Sequence, residues 1–186
     1  MSKKIKISVV GIGLMGLQHI KAIQKSKLAS LHSIVEIKKT GIELSKKFNV
    51  PLYKNIKILL AKDKPDAVII ATPNVLHETD TVRFLKSKIP VLLEKPISDN
   101  IKSAKKIINS ARSNKTSLLI GYHRRHNSIV NNVKKIIENS NNTMYSTSFL
   151  KANSALIIRC ISFYFFKTVL KRSMFFRAIP VPLTTA

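Results

Sequence analysis

Ile5-Lys6-Ile7-Ser8-Val9-Val10-Gly11-Ile12-Gly13-Leu14-Met15-Gly16 is the stretch whose reading decides the fold. Its first half is rich in β-branched residues and stops at glycines, so it reads as a buried strand. Its second half is a Gly-x-Gly-x-x-Gly run that opens a helix, predicted over 14–25 with Leu17, Ile20 and Ile23 at helical spacing. Such a run is a weak signal alone and an informative one between a strand and a helix. Gly11 permits the tight turn, Gly13 lets the backbone approach a pyrophosphate without a Cβ in the way, and Gly16 lets the helix pack on the strand. The free N–H groups at the helix start, around Leu14 and Met15, carry partial positive charge and suit a diphosphate.

Outward from this unit, strands and helices alternate. Apolar runs at 31–36, 50–53, 67–71, 91–93 and 118–122 read as strands or extended pieces. Helical patterns occupy 40–48, 56–60, 75–87, 99–114 and 128–139, the fourth with Ser98 or Asp99 as its expected cap. Strands that alternate with helices in this way imply βαβ units. The fold class is therefore α/β, a doubly wound parallel sheet of Rossmann type, with strands covered on both faces and continuously apolar for that reason.

In such sheets ligands bind beyond the carboxyl ends of the strands, so the residues just after each strand carry the chemistry. Glu36 ends the second strand, 20 residues after Gly16. A carboxylate there accepts hydrogen bonds from ribose hydroxyls and repels a 2′-phosphate, which favours NAD over NADP. Lys38 and Lys39 lie close by and soften that exclusion. After the fourth strand comes Thr72-Pro73-Asn74-Val75-Leu76-His77. Thr72 and Asn74 are candidates to meet the cofactor, Asn74 equally to cap the helix that follows, and His77 falls in the first helical turn. After the fifth strand comes Glu94-Lys95-Pro96, whose lysine is a candidate proton shuttle beside a cofactor cleft. After the sixth comes Gly121-Tyr122-His123-Arg124-Arg125-His126-Asn127, where His123, Arg124 and Arg125 suit an anionic or polyhydroxy substrate, or form a plain basic loop.

This order of motifs resembles the glucose–fructose oxidoreductase, inositol dehydrogenase and MocA family (Gfo/Idh/MocA). The likeness rests on VVGIGLMGLQHIKAI, DAVIIATPNVLHETD, the EKP triplet of VLLEKPIS, and GYHRRHNSIV, and runs from Lys4 to about Glu138. It implies an N-terminal NAD(P)-binding domain at 1–121, the start of a C-terminal α+β substrate domain at 122–138, and an NAD(P)-dependent oxidation of a sugar or cyclitol hydroxyl, or the reverse reduction. It also implies the roles. Gly11, Gly13, Leu14, Met15 and Gly16 bind diphosphate, and Glu36 binds ribose. Thr72, Pro73, Asn74, His77 and Glu94 line the cofactor cleft, and Lys95 stands near the nicotinamide ribose and the reacting hydroxyl. Family members assemble as homo-oligomers. Ser128 stands where a proline is common. The family's second domain also supplies an Asp and a His four residues apart on a helix, which handle the substrate proton with the EKP lysine. This chain has no Asp after Asp99 and no His after His126. The expectation is a truncated or frame-disrupted product, or a natural fragment. The alternative function is a nucleotide-binding module or remnant without catalysis.

Composition bounds the remaining possibilities. Thirty-three Lys and Arg against nine Asp and Glu give a formal net charge of +24 over 186 residues. That excess reads either as an electrostatic footprint for a polyanion or as lysine bias spread over every helix. No basic cluster is interleaved with aromatics as a stacking platform requires, so no specific nucleic-acid partner is expected. Segment 139–186 is a divergent basic tail without a single acid, and it holds eight of the twelve Phe and Tyr residues. Its apolar run at 156–170 is interrupted by Arg159 and Lys167 and falls short of the ~20 residues of a membrane span. A lone cysteine, Cys160, rules out an internal disulfide or a paired-cysteine zinc site. With no signal-peptide pattern at the start, the expected compartment is the cytoplasm.

Overall fold

The computed structural model describes residues 3–122 and 127–132. Six strands form one sheet: β1 (Ile5–Val10), β2 (Ala29–Val35), β3 (Leu52–Tyr53), β4 (Ala67–Ile70), β5 (Val91–Leu93) and β6 (Leu118–Ile120). Five helices connect them: α1 (Leu14–Gln24), α2 (Thr40–Phe48), α3 (Ile56–Lys62), α4 (His77–Lys86) and α5 (Ile101–Ser113). The strand order is β3-β2-β1-β4-β5-β6 and every pairing is parallel. The winding therefore runs outward from β1 in one direction and from β4 in the other. The crevice where it reverses lies at the carboxyl ends of those two central strands.

The two-residue period of a strand explains how continuous apolar runs serve two cores. Ile5, Ile7 and Val9 join Ala67, Ile69 and Leu92 on one face, where α1 contributes Ile20 and Ile23. Val10, Val68, Ile70, Val91 and Leu93 point to the other, which Phe84 and Leu85 of α4 and Ile107 and Ala111 of α5 cover. Residues at 128–132 are helical, and the remainder of the helix expected to 139 lies outside the described residues.

Several boundaries differ from the expectations. β2 begins two residues earlier than the apolar run suggested, because Ala29 and Ser30 pair with Ile5 and Lys6. The segment after β4 makes a single 3-10 turn at Asn74–Leu76 before α4 starts at His77. Asn74 therefore does not cap α4, whose N-cap is Leu76 without a side-chain bond. The cap of α5 is Asn100, not Ser98 or Asp99. The Asn100 side chain accepts the Ser103 N–H at 2.8 Å, while Ser98 and Asp99 bond to each other and to Asn100. Asn100 has the extended backbone of a cap residue, and a single side-chain oxygen two positions further on would not reach the same amide.

Candidate cofactor site at the carboxyl edge of the sheet

The ladder of backbone bonds continues one step past the strand ends. Gly11 N–H donates to the Val35 carbonyl, Ala71 to Val10, Glu94 to Ile70 and Gly121 to Leu93, all at 2.8–3.0 Å. Each post-strand loop thus leaves the sheet at the same level. The four sequence motifs, 71 to 121 residues into the chain in three cases, emerge side by side.

The glycine loop is shaped by contacts that a side chain would destroy. Gly11 has φ +80°, and a Cβ on it would lie 2.8 Å from the Ala71 carbonyl oxygen. A Cβ on Gly16 would run into the Gly11 carbonyl. Gly13 differs: nothing among the described residues lies within 4 Å of where its Cβ would be. The fold itself demands glycine at 11 and 16. At 13 it leaves open space beside the backbone, the room a diphosphate needs. α1 begins there with Gly13 as N-cap, no side-chain cap and no acid in its first turn. The amides of Leu14, Met15 and Gly16 therefore have no intrahelical acceptor. By contrast, α3 and α5 each have one first-turn amide satisfied by a cap side chain, Ile58 by Asn55 and Ser103 by Asn100.

Glu36, half-buried at the end of β2, is held against this loop. Its Oε2 accepts the Ile12 N–H at 3.1 Å, and its Oε1 accepts the N–H groups of Ile37 and Lys38 at 2.9 and 3.1 Å. Three backbone donors fix the carboxylate at the rim of the crevice. Ile37 and Leu14 are 82% and 76% exposed beside it, and Val75 is 69% exposed on the facing loop. These apolar side chains border the crevice without covering it.

Thr72, Pro73 and Asn74 follow β4, with Pro73 and Asn74 exposed. The Thr72 hydroxyl donates to Asp80 Oδ2 at 3.1 Å. Burial raises the Asp80 carboxyl above the ordinary aspartate range, against the Thr72 bond and the charges of Arg83 and His77. His77 is 1% exposed. Its Nδ1 lies 2.8 Å from the Pro96 carbonyl oxygen and its Nε2 2.9 Å from that of Thr72. Its ring is thus spent on joining two loops and does not line the open crevice.

Glu94 is likewise buried, at 6% exposure, whereas the next residue, Lys95, is exposed. Glu94 Oε1 sits 2.8 Å from His19 Nε2, and its Oε2 accepts the Lys95 N–H at 3.2 Å. His19, on the inner side of α1, is 1% exposed. It escapes a motif search because its partner is 75 residues away. The only local sign is its place three residues past Gly16, next to the inward Ile20. Gly121 fits over Glu94: a Cβ there would approach Glu94 Oε1 to 3.1 Å. His123, Arg124 and Arg125 lie outside the described residues. Among the described residues no group of His, Cys, Asp and Glu could hold a metal ion, and no helix is long and apolar enough to cross a membrane.

A glycine loop that opens an uncapped helix, an acid at the end of the second strand and a parallel sheet wound outward from its centre define a dinucleotide-binding Rossmann domain. Residues 5–122 match the oxidoreductase family with an NAD-binding Rossmann fold, Gfo/Idh/MocA, and the chain belongs to that family. It is 32% identical over 143 residues to inositol 2-dehydrogenase of Corynebacterium glutamicum strain R, a match over 74% of this chain and 42% of that protein. The WlbA dehydrogenase of Bordetella pertussis, solved with NADH and UDP-GlcNAcA, superimposes with a TM-score of 0.69 at 25% identity, over 74% of this chain and 40% of that one. The fold is also that of scyllo-inositol dehydrogenase from Lactobacillus casei, solved with NAD(H) and scyllo-inositol, with a TM-score of 0.69 at 22% identity over 75% and 42% of the two chains. The chain spans about 42% of the length of the relative first named.

Proposed function

We propose that this chain is the cofactor-binding part of an NAD-dependent oxidoreductase that moves hydride between nicotinamide and a carbinol or ketone carbon of a sugar or polyol. The observation that carries the reading is the loop at Gly13. It is open beside its backbone and uncapped at the start of α1, and it is flanked at one sheet edge by Glu36 and Lys95. Gly11, Gly13, Leu14, Met15 and Gly16 would hold the diphosphate, Glu36 the adenosine ribose, and Thr72, Pro73 and Asn74 the other wall. Bound NAD supplies the hydride acceptor in oxidation and, as NADH, the donor in reduction. Lys95 Nζ takes the hydroxyl proton as the carbinol hydrogen departs as hydride, and returns it in the reverse direction.

The relatives' names support a sugar or cyclitol as substrate, with the basic residues at 123–125 as candidates to meet its hydroxyls. We assign 1–121 to the dinucleotide domain, 122–138 to the start of a substrate domain and 139–186 to a separate basic tail. The lone Cys160 and the use of NAD fit the cytoplasm.

A second reading is a nucleotide-binding module without catalysis, in which the glycine loop and Glu36 hold the nucleotide and Lys95 moves no proton. Fluorescence titration with NADH tests the shared part: saturable binding is expected, and its absence overturns both readings. Steady turnover of inositol or glucose with NAD, abolished by Lys95→Ala with NADH binding intact, supports the first. Binding without turnover supports the second.

A further inference from the structure

Lys95 is exposed, and the residues on either side of it, buried Glu94 and exposed Pro96, are each bonded to a buried histidine from a different helix. Before it, the Glu94 carboxylate meets His19 Nε2 at 2.8 Å. A carboxylate only accepts, so the His19 Nε2–H is the donor. His19 rides on α1, the helix whose first turn is the glycine loop. After it, the Pro96 carbonyl is 2.8 Å from His77 Nδ1, and the same ring reaches the Thr72 carbonyl with Nε2 at 2.9 Å. Carbonyl oxygens only accept as well, so each ring nitrogen faces an acceptor. His77 therefore fastens the Lys95 loop to the Thr72–Asn74 loop, as His19 fastens it to the glycine loop.

We propose that His19 and His77 are positioning residues that brace Lys95 from both sides and tie its placement to the two loops that hold the cofactor. The proposal rests on Lys95 acting at the substrate hydroxyl. Neither histidine touches the reacting atoms. Each removes a freedom the Lys95 backbone would otherwise have, so that a cofactor seated on the glycine loop and the Thr72 loop finds the ammonium at a fixed place. The brace combines one buried bond, His19 to Glu94, with two part-buried ones from His77, and removing a histidine takes away the bonds it makes to the Lys95 loop. Loss of either histidine should therefore loosen the Lys95 loop far more than it loosens the strands beside it.

Hydrogen exchange on the intact chain tests the brace without any ligand. In His19→Leu and in His77→Phe, exchange in the peptide spanning 93–98 should quicken about fivefold, the effect of one hydrogen bond, while the peptide over 118–122 keeps its rate. His77→Gln, which keeps an N–H donor for one carbonyl, should restore part of the protection. It also serves if the phenylalanine variant does not fold. Wild-type exchange at 93–98 in a folded variant overturns the brace, and so does an equal rise in both peptides.

Acylation of lysines followed by peptide mapping then separates the brace from the reading beneath it. In the wild type, NADH should slow labelling of Lys95 relative to Lys102 about fivefold. In both histidine variants this protection should fall away at NADH concentrations that saturate each variant, as set by fluorescence titration. Wild-type protection of Lys95 that survives in the variants overturns the brace with the role of Lys95 intact. NADH binding that leaves Lys95 unprotected in the wild type overturns its role, and with it the proposal.

Discussion

The glycine loop after β1 and the Lys95 loop after β5 stand at the same sheet edge, one strand apart, and are built by opposite means. The first is made by what is missing. Gly11 and Gly16 exclude side chains because backbone already fills the space, and Gly13 leaves space that nothing among the described residues uses. The second is made by what is buried. Glu94, His19 and His77 spend their polar atoms under the surface to present one exposed lysine. A steric constraint is set by the backbone nearest in space, Gly11 for Gly16 and Ala71 for Gly11. A polar one is settled by a partner anywhere in the chain, here 75 residues away for His19 and Glu94 and 19 for His77 and Pro96. Substitutions in the two loops should therefore fail differently.

The largest effect is expected at Gly16. In Gly16→Ala the new Cβ meets the Gly11 carbonyl, backbone against backbone, with no flexible group to yield. A loss of at least about 3 kcal/mol of stability is expected, measured by urea unfolding followed by circular dichroism. Gly13→Ala, three residues away in the same motif, should change stability by no more than about 0.5 kcal/mol. It should weaken NADH binding about tenfold or more, because the methyl group occupies the space left for the diphosphate. Equal destabilisation by both variants would break the distinction between glycines required by the fold and a glycine required by a ligand.

The Lys95 loop comes next. His19→Leu takes the His19 bond from the buried Glu94 Oε1, and should cost about 1–3 kcal/mol in the same unfolding experiment. Lys95→Ala, in the same loop, removes an exposed side chain and should leave both stability and NADH affinity close to wild type. If the lysine variant proves the less stable of the two, Lys95 serves the fold and not the chemistry.

The physical contrast also decides how much could be read in the chain itself. Apolar runs broken by glycine and proline located all six strands, because a parallel strand buried on both faces has no polar alternation to blur it. Glu36 was readable from its distance to Gly16, since the path of a βαβ unit fixes where the second strand ends. The cap of α5 was not. Ser98, Asp99 and Asn100 are all good caps, and only the backbone at Asn100 decides among them. Nor was the interior role of His77, although the pattern held a clue. His77, Asp80, Thr81, Phe84 and Leu85 are the buried residues of α4, at helical spacing, so the histidine sits in phase with the core. Its two carbonyl partners became visible only once the loops were in place. The residues at 123–125 follow a strand too, and their chemistry stays with the sequence reading.

A smaller effect concerns cofactor choice. Glu36→Ser should shift preference from NADH toward NADPH, since it removes the negative charge that a 2′-phosphate would face and leaves Lys38 and Lys39 beside it. Paired fluorescence titrations measure the ratio, and an unchanged preference would mean that Glu36 braces the glycine loop only through the Ile12 amide.

The smallest effects are two pH responses of opposite sign on α4. Burial raises the folded-state Asp80 carboxyl above its unfolded value. The folded chain therefore holds that proton longer than the unfolded one, and the contribution favouring the fold is fully present below the unfolded value and lost as pH rises through the folded one. Glu78, on the solvent side, is lowered by hydrogen bonds from Ser103 and Lys106, with the Lys106 and Lys102 charges adding to them. Its contribution is present above the unfolded value and lost as pH falls through the folded one. Unfolding of wild type, Asp80→Asn and Glu78→Gln across the acidic range separates the two. Relative to wild type, Asp80→Asn should gain stability as pH rises past the aspartate range. Glu78→Gln should lose stability slightly over the glutamate range and converge with wild type in acid. The Glu78 response should shrink in molar salt, because the pair it makes with Lys106 is exposed, whereas the Asp80 response, set by burial beside Thr72 and His77, should persist. A salt-sensitive Asp80 response would mean that solvent reaches the carboxyl, and the wall between the Thr72 loop and the Lys95 loop would then be open where the brace requires it to be closed.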